Sequence, residues 1–263
     1  MILLLFNIFI FKQNSLSAYV LIYIVKNSSG LGNTYWKEVI NVLKNVIPVY
    51  DRVNSVISLG KDVIYRKEGI IKSIHSGNIV LDAGSGFGNM SKIVLENVSK
   101  DVTIILYDPI YEMLNKVKDN IDIFEKSSSF SLCSGVFEKI PFKTNTFDAI
   151  LCGYSLRDAI ELENAINELY RVLKKGGRLV IVDLGKPDNI IIRLLISMYL
   201  KYFLALLAFS VAGKKGIPFR TLYGTFLRWP KNNDLYIMLS KNFSKIEFKR
   251  KLFGGAIIVV AYK

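Results

Sequence analysis

The sequence predicts an α/β fold, with a doubly wound, mostly parallel seven-stranded sheet and a C-terminal antiparallel hairpin. Three observations predict it. Between about residues 78 and 185, short apolar runs alternate with helix-like segments. The runs are nearly continuous in apolar residues, as expected for parallel strands covered on both faces. A glycine pair, Gly254-Gly255, separates the last two runs as a hairpin turn would.

The elements follow in order. Asn78–Asp82 (NIVLD) is an apolar run that ends on an acid and is followed by glycines. Val102–Tyr107 (VTIILY) is rich in β-branched residues, and Phe130–Cys133 (FSLC) is shorter. Phe147–Cys152 (FDAILC) and Arg178–Leu184 (RLVIVDL) complete the parallel set. Helix-like segments lie near Met90–Val98, Tyr111–Val117 and Glu161–Leu173, and Gly176-Gly177 reads as the stop of the last. Right-handed crossovers between such units give a doubly wound sheet. A helix near Asn233–Leu239 precedes the hairpin strands Lys245–Lys249 and Ala256–Ala261.

Composition narrows the function classes. The 263 residues are 51% apolar and 22% charged, which excludes a disordered, collagen-like or coiled-coil chain. Two cysteines make neither a disulfide scaffold nor a metal-site spacing, so no metal is expected and a reducing, cytoplasmic compartment is the simpler reading. The net charge of +13 is unevenly placed: residues 78–185 carry −3, whereas residues 213–263 carry +9. An acidic middle argues against nucleic acid as a partner. A localised basic region fits an anionic membrane surface.

The mean hydropathy of +0.31 is also concentrated. Met1–Val25 is largely apolar, with Lys12 near its centre. A central Lys opposes insertion by roughly 2.5–3.5 kcal/mol, which leucines, isoleucines and phenylalanines offset at roughly 0.3–0.6 kcal/mol each. Residues 1–34 are therefore expected to be an anchor, a packed extension or a mis-set start, and residues 35–263 the folded domain. In Ile190–Ala212, Arg193, Ser197 and Lys201 recur every four residues, one stripe on an otherwise apolar helix. That pattern predicts a lid or interfacial helix over an apolar site, against the alternative of a core helix.

The sharpest local motif is VLDAGSGFG, Val80–Gly88. A buried strand ends at Asp82, and Gly84, Gly86 and Gly88 let the chain turn against a ligand at a helix N-terminus. The G-x-G-x-G spacing differs from the dinucleotide G-x-G-x-x-G. The next strand ends in Tyr107-Asp108, 24 residues after Gly84, where an acid accepts from both ribose hydroxyls. A ribose without a pyrophosphate, in an acidic cleft, fits S-adenosyl-L-methionine with its positive sulfonium.

The chain resembles class I S-adenosylmethionine-dependent methyltransferases, and within them the ubiquinone/menaquinone biosynthesis C-methyltransferase family. The resemblance runs from about Trp36 to Lys263. It is carried by YDRVNSVISLG (Tyr50–Gly60), EKIPFKTNTFDAI (Glu138–Ile150), SLRDA (Ser155–Ala159), ELYRVLKKGGRLVIVDLGKP (Glu168–Pro187) and the closing LFGGAIIVVAYK. The glycine motif is generic to methyltransferases, while the Tyr50 and Arg157 segments are specific to this family.

The resemblance implies a Rossmann-like fold and a lipid-like quinol substrate. It implies that Asp82, Gly84 and Gly86 line the methionine and ribose end, and that Asp108 and Pro109 hold the ribose side. Val136 and Phe137 would lie at the adenine, and Tyr50 would close over the sulfonium. Arg157 would stabilise an oxyanion on the acceptor, and Asp158 is the candidate base. Arg157 has a plainer reading as a salt bridge to Glu161, and Asp158 as a helix N-cap. Five positions depart from the family pattern: Val136 stands where the family has Asp, Asp158 where it has Asn, Asp62 and Tyr65 where it has His and Trp, and Gly185 where it has Ser before the final Lys-Pro. His75, the single histidine, reads as non-catalytic, and Cys133, Cys152, Trp36 and Trp229 read as packing residues. The oligomeric state is left open.

Overall fold

The computed structural model describes residues 29–58, 60–117 and 129–263. Most of the apolar N-terminal tract, and with it the expected anchor, lies outside them. Seven strands form one sheet in the order β3-β2-β1-β4-β5-β7-β6. They are β1 Ile79–Ala83, β2 Thr103–Asp108, β3 Ser129–Ser134, β4 Phe147–Gly153, β5 Leu173–Leu184, β6 Lys245–Lys251 and β7 Ala256–Tyr262. The first five run parallel, and β7 lies antiparallel between β5 and β6. The expected sheet and hairpin are both present.

Apolar runs make central strands because both faces are covered. One core packs β4, β5 and β7 against Leu162, Ile166, Leu169, Leu235 and Leu239. These side chains come from α6 (Leu162–Val172) and α10 (Asn232–Ser240). The other packs Val80, Ile104, Leu151 and Val182 against Ile70, Met90 and Val94, from α3 (Lys61–Ile70) and α4 (Asn89–Asn97). Among the described residues, α5 (Tyr111–Val117) lies between β2 and β3. The charged edge strand β6 (KIEFKRK) discourages pairing with another chain.

Two expectations are corrected. Gly176-Gly177 does not follow a helix reaching Leu173: α6 stops at Val172, and both glycines fall inside β5. There Gly176 takes φ 77° and its N–H donates to the Lys263 carbonyl. The domain also starts before residue 35. The N–H groups of Leu31 and Gly32 donate to the carbonyls of Ala159 and Ile160, and Leu162 donates to Ser29.

Helices cover the C-terminal ends of the parallel strands. Before the sheet come α1 (Asn33–Val46), a 3₁₀ turn over Ile47–Val49, and α2 (Tyr50–Ile57). After β5 come α7 (Ile190–Met198), a π turn over Tyr199–Phe203, α8 (Leu204–Ala212), a 3₁₀ stretch over Gly213–Arg220, and α9 (Thr221–Arg228). The helix expected over Ile190–Ala212 is thus continuous but carries a π turn, which adds a residue to one winding and breaks the four-residue stripe at Lys201. Asn189 caps it, accepting from the N–H groups of Ile191 and Ile192.

Candidate active site

β1 ends at Asp82-Ala83, and the chain turns through Gly84, Ser85 and Gly86 before α4 begins. Gly84 (φ 68°) and Gly86 (φ 54°) both take left-handed conformations. Gly84 is also sterically required: a Cβ there would lie 2.3 Å from Ser155 Cβ, whose hydroxyl donates to the Ala83 carbonyl at 2.8 Å. At Gly86 a Cβ would meet only Met113 Sδ, at 3.8 Å, so that side stays open.

A cleft of about 70 Å³ lies along this turn. It is lined by Gly84, Gly86, Asp108, Pro109, Val136, Phe137, Tyr50 and Asp158, which are eight of the expected site residues. Asp82 sits behind it, buried: its Oδ2 accepts from the Ser91 N–H and hydroxyl, and its Oδ1 has no partner. Ser85 Oγ is likewise buried without a partner. Burial lifts the Asp82 carboxyl to about 6, against the hydrogen bonds from Ser91. Asp108 accepts from the Ile110 N–H at 2.7 Å and the Gly86 N–H at 2.9 Å. Burial outweighs both bonds and lifts it to about 6 as well.

The Val136 departure has a visible consequence. Glu138 lines the cleft in that region, but its Oε1 accepts from the Glu161 N–H at 3.0 Å. Apolar walls from Ile110, Met113 and Val136 enclose the space instead. Trp36, expected only to pack, also lines this cleft.

The second cavity is roomier, about 220 Å³. Its walls are mostly apolar, including Ile196, Tyr199, Leu200 and Leu222 from the covering helices, and Arg157 stands at it. Asp62 and Tyr65, which replace the family's His and Trp, line it too.

Arg157 does not pair with Glu161. Its Nη1 donates to Oδ1 of Asp183, which is fully buried at the end of β5. Its Nε is buried without a hydrogen bond, 4.0 Å from Asp158 Oδ1. Burial alone would lower its pKa, but the carboxylates of Asp183 and Asp158 hold it above its ordinary value. Asp158 is not a helix N-cap either, since it closes a 3₁₀ turn over Leu156–Asp158 and α6 begins only at Leu162. Burial lifts it to about 6, although Arg157 opposes this. Tyr50, the first residue of α2, packs edge-on to Phe87 at 5.8 Å, and burial raises its phenol.

Three functional candidates escaped the sequence. Arg66 is 7% exposed and lines both cavities. Its Nη1 reaches the Gly153 carbonyl only at 3.4 Å, and its Nε has no partner. Gly69, three residues on, lets α3 lie tight on β5: a Cβ there would sit 3.0 Å from Val180. Tyr154 also lines both cavities, at φ 60°, with Arg66 4.8 Å and Arg157 5.8 Å from its ring centre. A bulky residue at positive φ is a strained conformation, common where geometry serves a site. Asp183 is the third. The LGKP resemblance pointed at its neighbourhood but gave it no role. His75 is exposed and lines neither cavity, and Cys152 is buried in the core as expected.

The cleft fits a cationic sulfonium cofactor. It presents three carboxylates (Asp108, Glu138 and Asp158), one guanidinium (Arg66) and the unpartnered buried oxygen of Ser85, with the unpartnered Oδ1 of Asp82 behind it. A ribose and an amino-acid end supply the missing donors and acceptor partners.

Comparison with known proteins agrees. Residues 30–263 match the model of the ubiE/COQ5 methyltransferase family. Over 230 residues the chain is 26% identical to a demethylmenaquinone methyltransferase of Bacteroides fragilis, covering 86% of this chain and 93% of that one. Over 231 residues it is 28% identical to a ubiquinone/menaquinone biosynthesis C-methyltransferase of Francisella tularensis, covering 86% and 91%. Among solved structures, a SAM-dependent methyltransferase from Aquifex aeolicus superposes with a TM-score of 0.53 at 19% identity, over 80% of this chain and 96% of that one.

Proposed function

The chain belongs to the ubiE/COQ5 methyltransferase family, and from that premise we propose that it methylates a ring carbon of a polyprenyl quinol in menaquinone- or ubiquinone-type biosynthesis. It is an enzyme, and S-adenosylmethionine is its cofactor. The observation that carries the acceptor reading is the second cavity. It has apolar walls, it presents Arg157, which buried Asp183 holds from behind, and it shares Arg66 and Tyr154 with the cofactor cleft. A greasy tail suits the walls, and a ring oxygen suits the guanidinium.

When bound, S-adenosylmethionine supplies an electrophilic methyl group on a good leaving group. The chain's own residues then have three tasks. Asp158, poised to ionise near pH 6, takes the proton from a ring hydroxyl, directly or through one water. Arg157 holds the resulting oxyanion, with Asp183 fixing the guanidinium so that its fork does not reorganise during reaction. Tyr154, shared by the two cavities, and Tyr50, on the cofactor side, fix the approach of the reactants, where alignment supplies most of the rate. The methylated ring carbon then gives up its hydrogen as a proton to water, and the ring oxygen takes back the proton held by Asp158, which restores the aromatic quinol. The reaction belongs in the cytoplasm on this reading.

A second acceptor is favoured by one observation. Asp62 and Tyr65, in place of the family's His and Trp, put a carboxylate and a phenol on the acceptor cavity. A different apolar phenol would suit those groups. One assay separates the readings: the full chain with methyl-labelled cofactor is given demethylated quinols of long and short tail, and other prenylated phenols. Label on a ring carbon of the quinol is expected. Label only on another phenol transfers the assignment to it, and label in no acceptor removes the catalytic reading.

A further inference from the structure

The helical run Ile190–Ala212 is apolar on two sides. Its inner side is packed, with Leu200, Leu204 and Ala208 buried against the domain. On its outer side Ile191, Leu194, Leu195, Met198, Phe203 and Leu206 each keep more than half of their surface exposed. A large exposed apolar patch marks a contact surface.

A second apolar projection adjoins it. The turn between β6 and β7 carries Leu252 and Phe253 at φ 49° and 54°, and Phe253 is 88% exposed. Two successive bulky residues in the left-handed region are costly unless the surroundings enforce them. Here they do. Buried Asn232 donates from Nδ2 to the Gly254 carbonyl at 2.9 Å, and the Gly185 N–H donates to the Gly255 carbonyl. Helix and turn touch, because a Cβ on Gly255 would fall 2.8 Å from Ile196 Cδ1. The acceptor cavity is bounded by Ile196 and Tyr199 on the helix side and by Leu252 on the turn.

Charge identifies the occupant. From Asn189 to Asn233 the chain has no Asp or Glu, but seven Lys or Arg. Lys201, Lys214, Lys215 and Arg220 among them are exposed. We propose that this face docks on an anionic lipid bilayer. The outer side of α7 and α8 and the Phe253 tip sink into the headgroup region, the lysines and arginines meet the phosphates, and the acceptor cavity opens between helix and tip.

A second copy of the chain fits less well, because a two-fold contact would set this basic segment, which has no carboxylate of its own, against itself. Ile190–Arg228 is long and apolar enough to cross a membrane. Its packed inner side and the cations Arg193 and Lys201 oppose that and leave an interfacial position. The docking surface stands apart from the identity of the acceptor. If the acceptor is a polyprenyl quinol, the mouth opens where such a molecule resides.

The test uses the full chain in a Cys133→Ser background, with a polarity-sensitive dye on Leu195→Cys, on Phe253→Cys, or on Lys175→Cys at the opposite end of β5. Vesicles of phosphatidylcholine mixed with phosphatidylglycerol are added. A blue shift is expected at 195 and 253 and none at 175, weakening as salt screens the phosphates. The dye reports its own position, so attachment through another part of the chain does not mimic the result. In flotation, Phe253→Asp should lower vesicle affinity roughly tenfold, the effect of withdrawing one aromatic side chain from apolar surroundings. No shift at 195 and 253, or a shift without vesicles that grows with protein concentration, overturns the proposal. Neither readout depends on methyl transfer, so its failure is distinct from failure of the acceptor assignment.

Discussion

Asp108 is held by two backbone N–H groups and still titrates near 6, as do Asp82 and Asp158, because burial disfavours their charge more than their partners favour it. Between the ordinary value of 3.8 and about 6, the native state binds protons that the unfolded chain does not. These three groups therefore add stability as pH falls through that window, and the stability is lost as pH rises through about 6. Cofactor binding has the opposite sign, since a sulfonium and ribose hydroxyls require ionised acceptors. Titration calorimetry with S-adenosylmethionine should show affinity falling as pH drops below about 6. Asp108→Asn should bind roughly 10- to 100-fold more weakly at neutral pH, the loss of charge-assisted hydrogen bonds at a buried site. Unchanged binding would remove Asp108 from the ribose. At this scale the sequence exposed the acids, which end strands and precede glycines. It hid Arg66, one of three basic residues on α3, because only packing shows that its guanidinium is buried with no ion pair among the described residues. It also left Arg157 and Asp158 with plainer readings, which the Asp183 partner and the 3₁₀ turn displaced.

Among the elements, the turn from β1 to α4 separates two uses of glycine. Gly84 has both a positive φ and the Ser155 side chain against it, whereas Gly86 has the positive φ with open space. Gly84→Ala should thus destabilise by more than the ~1–2 kcal/mol expected of a left-handed alanine. Gly86→Ala should stay within that figure, and urea unfolding of the two variants compares them directly. Equal losses would mean that Ser155 yields freely. Strand positions were legible because buried parallel strands are nearly continuous apolar runs. Less legible was the start of β5: Gly176-Gly177 punctuates a helix pattern in sequence, yet in space it lies beside the C-terminal Lys263. The π turn at Tyr199–Phe203 was also hidden, since an added residue in one winding leaves no mark in composition.

For the whole molecule, charge and grease have become places. The acidic segment holds the cofactor cleft, and the basic, apolar segments cover the acceptor cavity. Coupling between cleft and fold should be measurable. Saturation with S-adenosylhomocysteine at about a hundredfold excess over Kd stabilises by about 2.7 kcal/mol if only the native state binds. For a chain of this size Tm should then rise by roughly 5–10 °C. A melting curve that does not move would contradict the cofactor assignment. The sequence by itself determined the sheet, the glycine turn, the acid after β2 and the family segments, because each is written in neighbouring residues obeying strand or turn periodicity. Only the tertiary structure decided that Arg66 and Tyr154 stand between two cavities, that Asp183 rather than Glu161 holds Arg157, and that the β6–β7 turn meets α7 at the cavity mouth. Those relations join residues distant in the chain, and packing of the covering helices on the strand ends creates them.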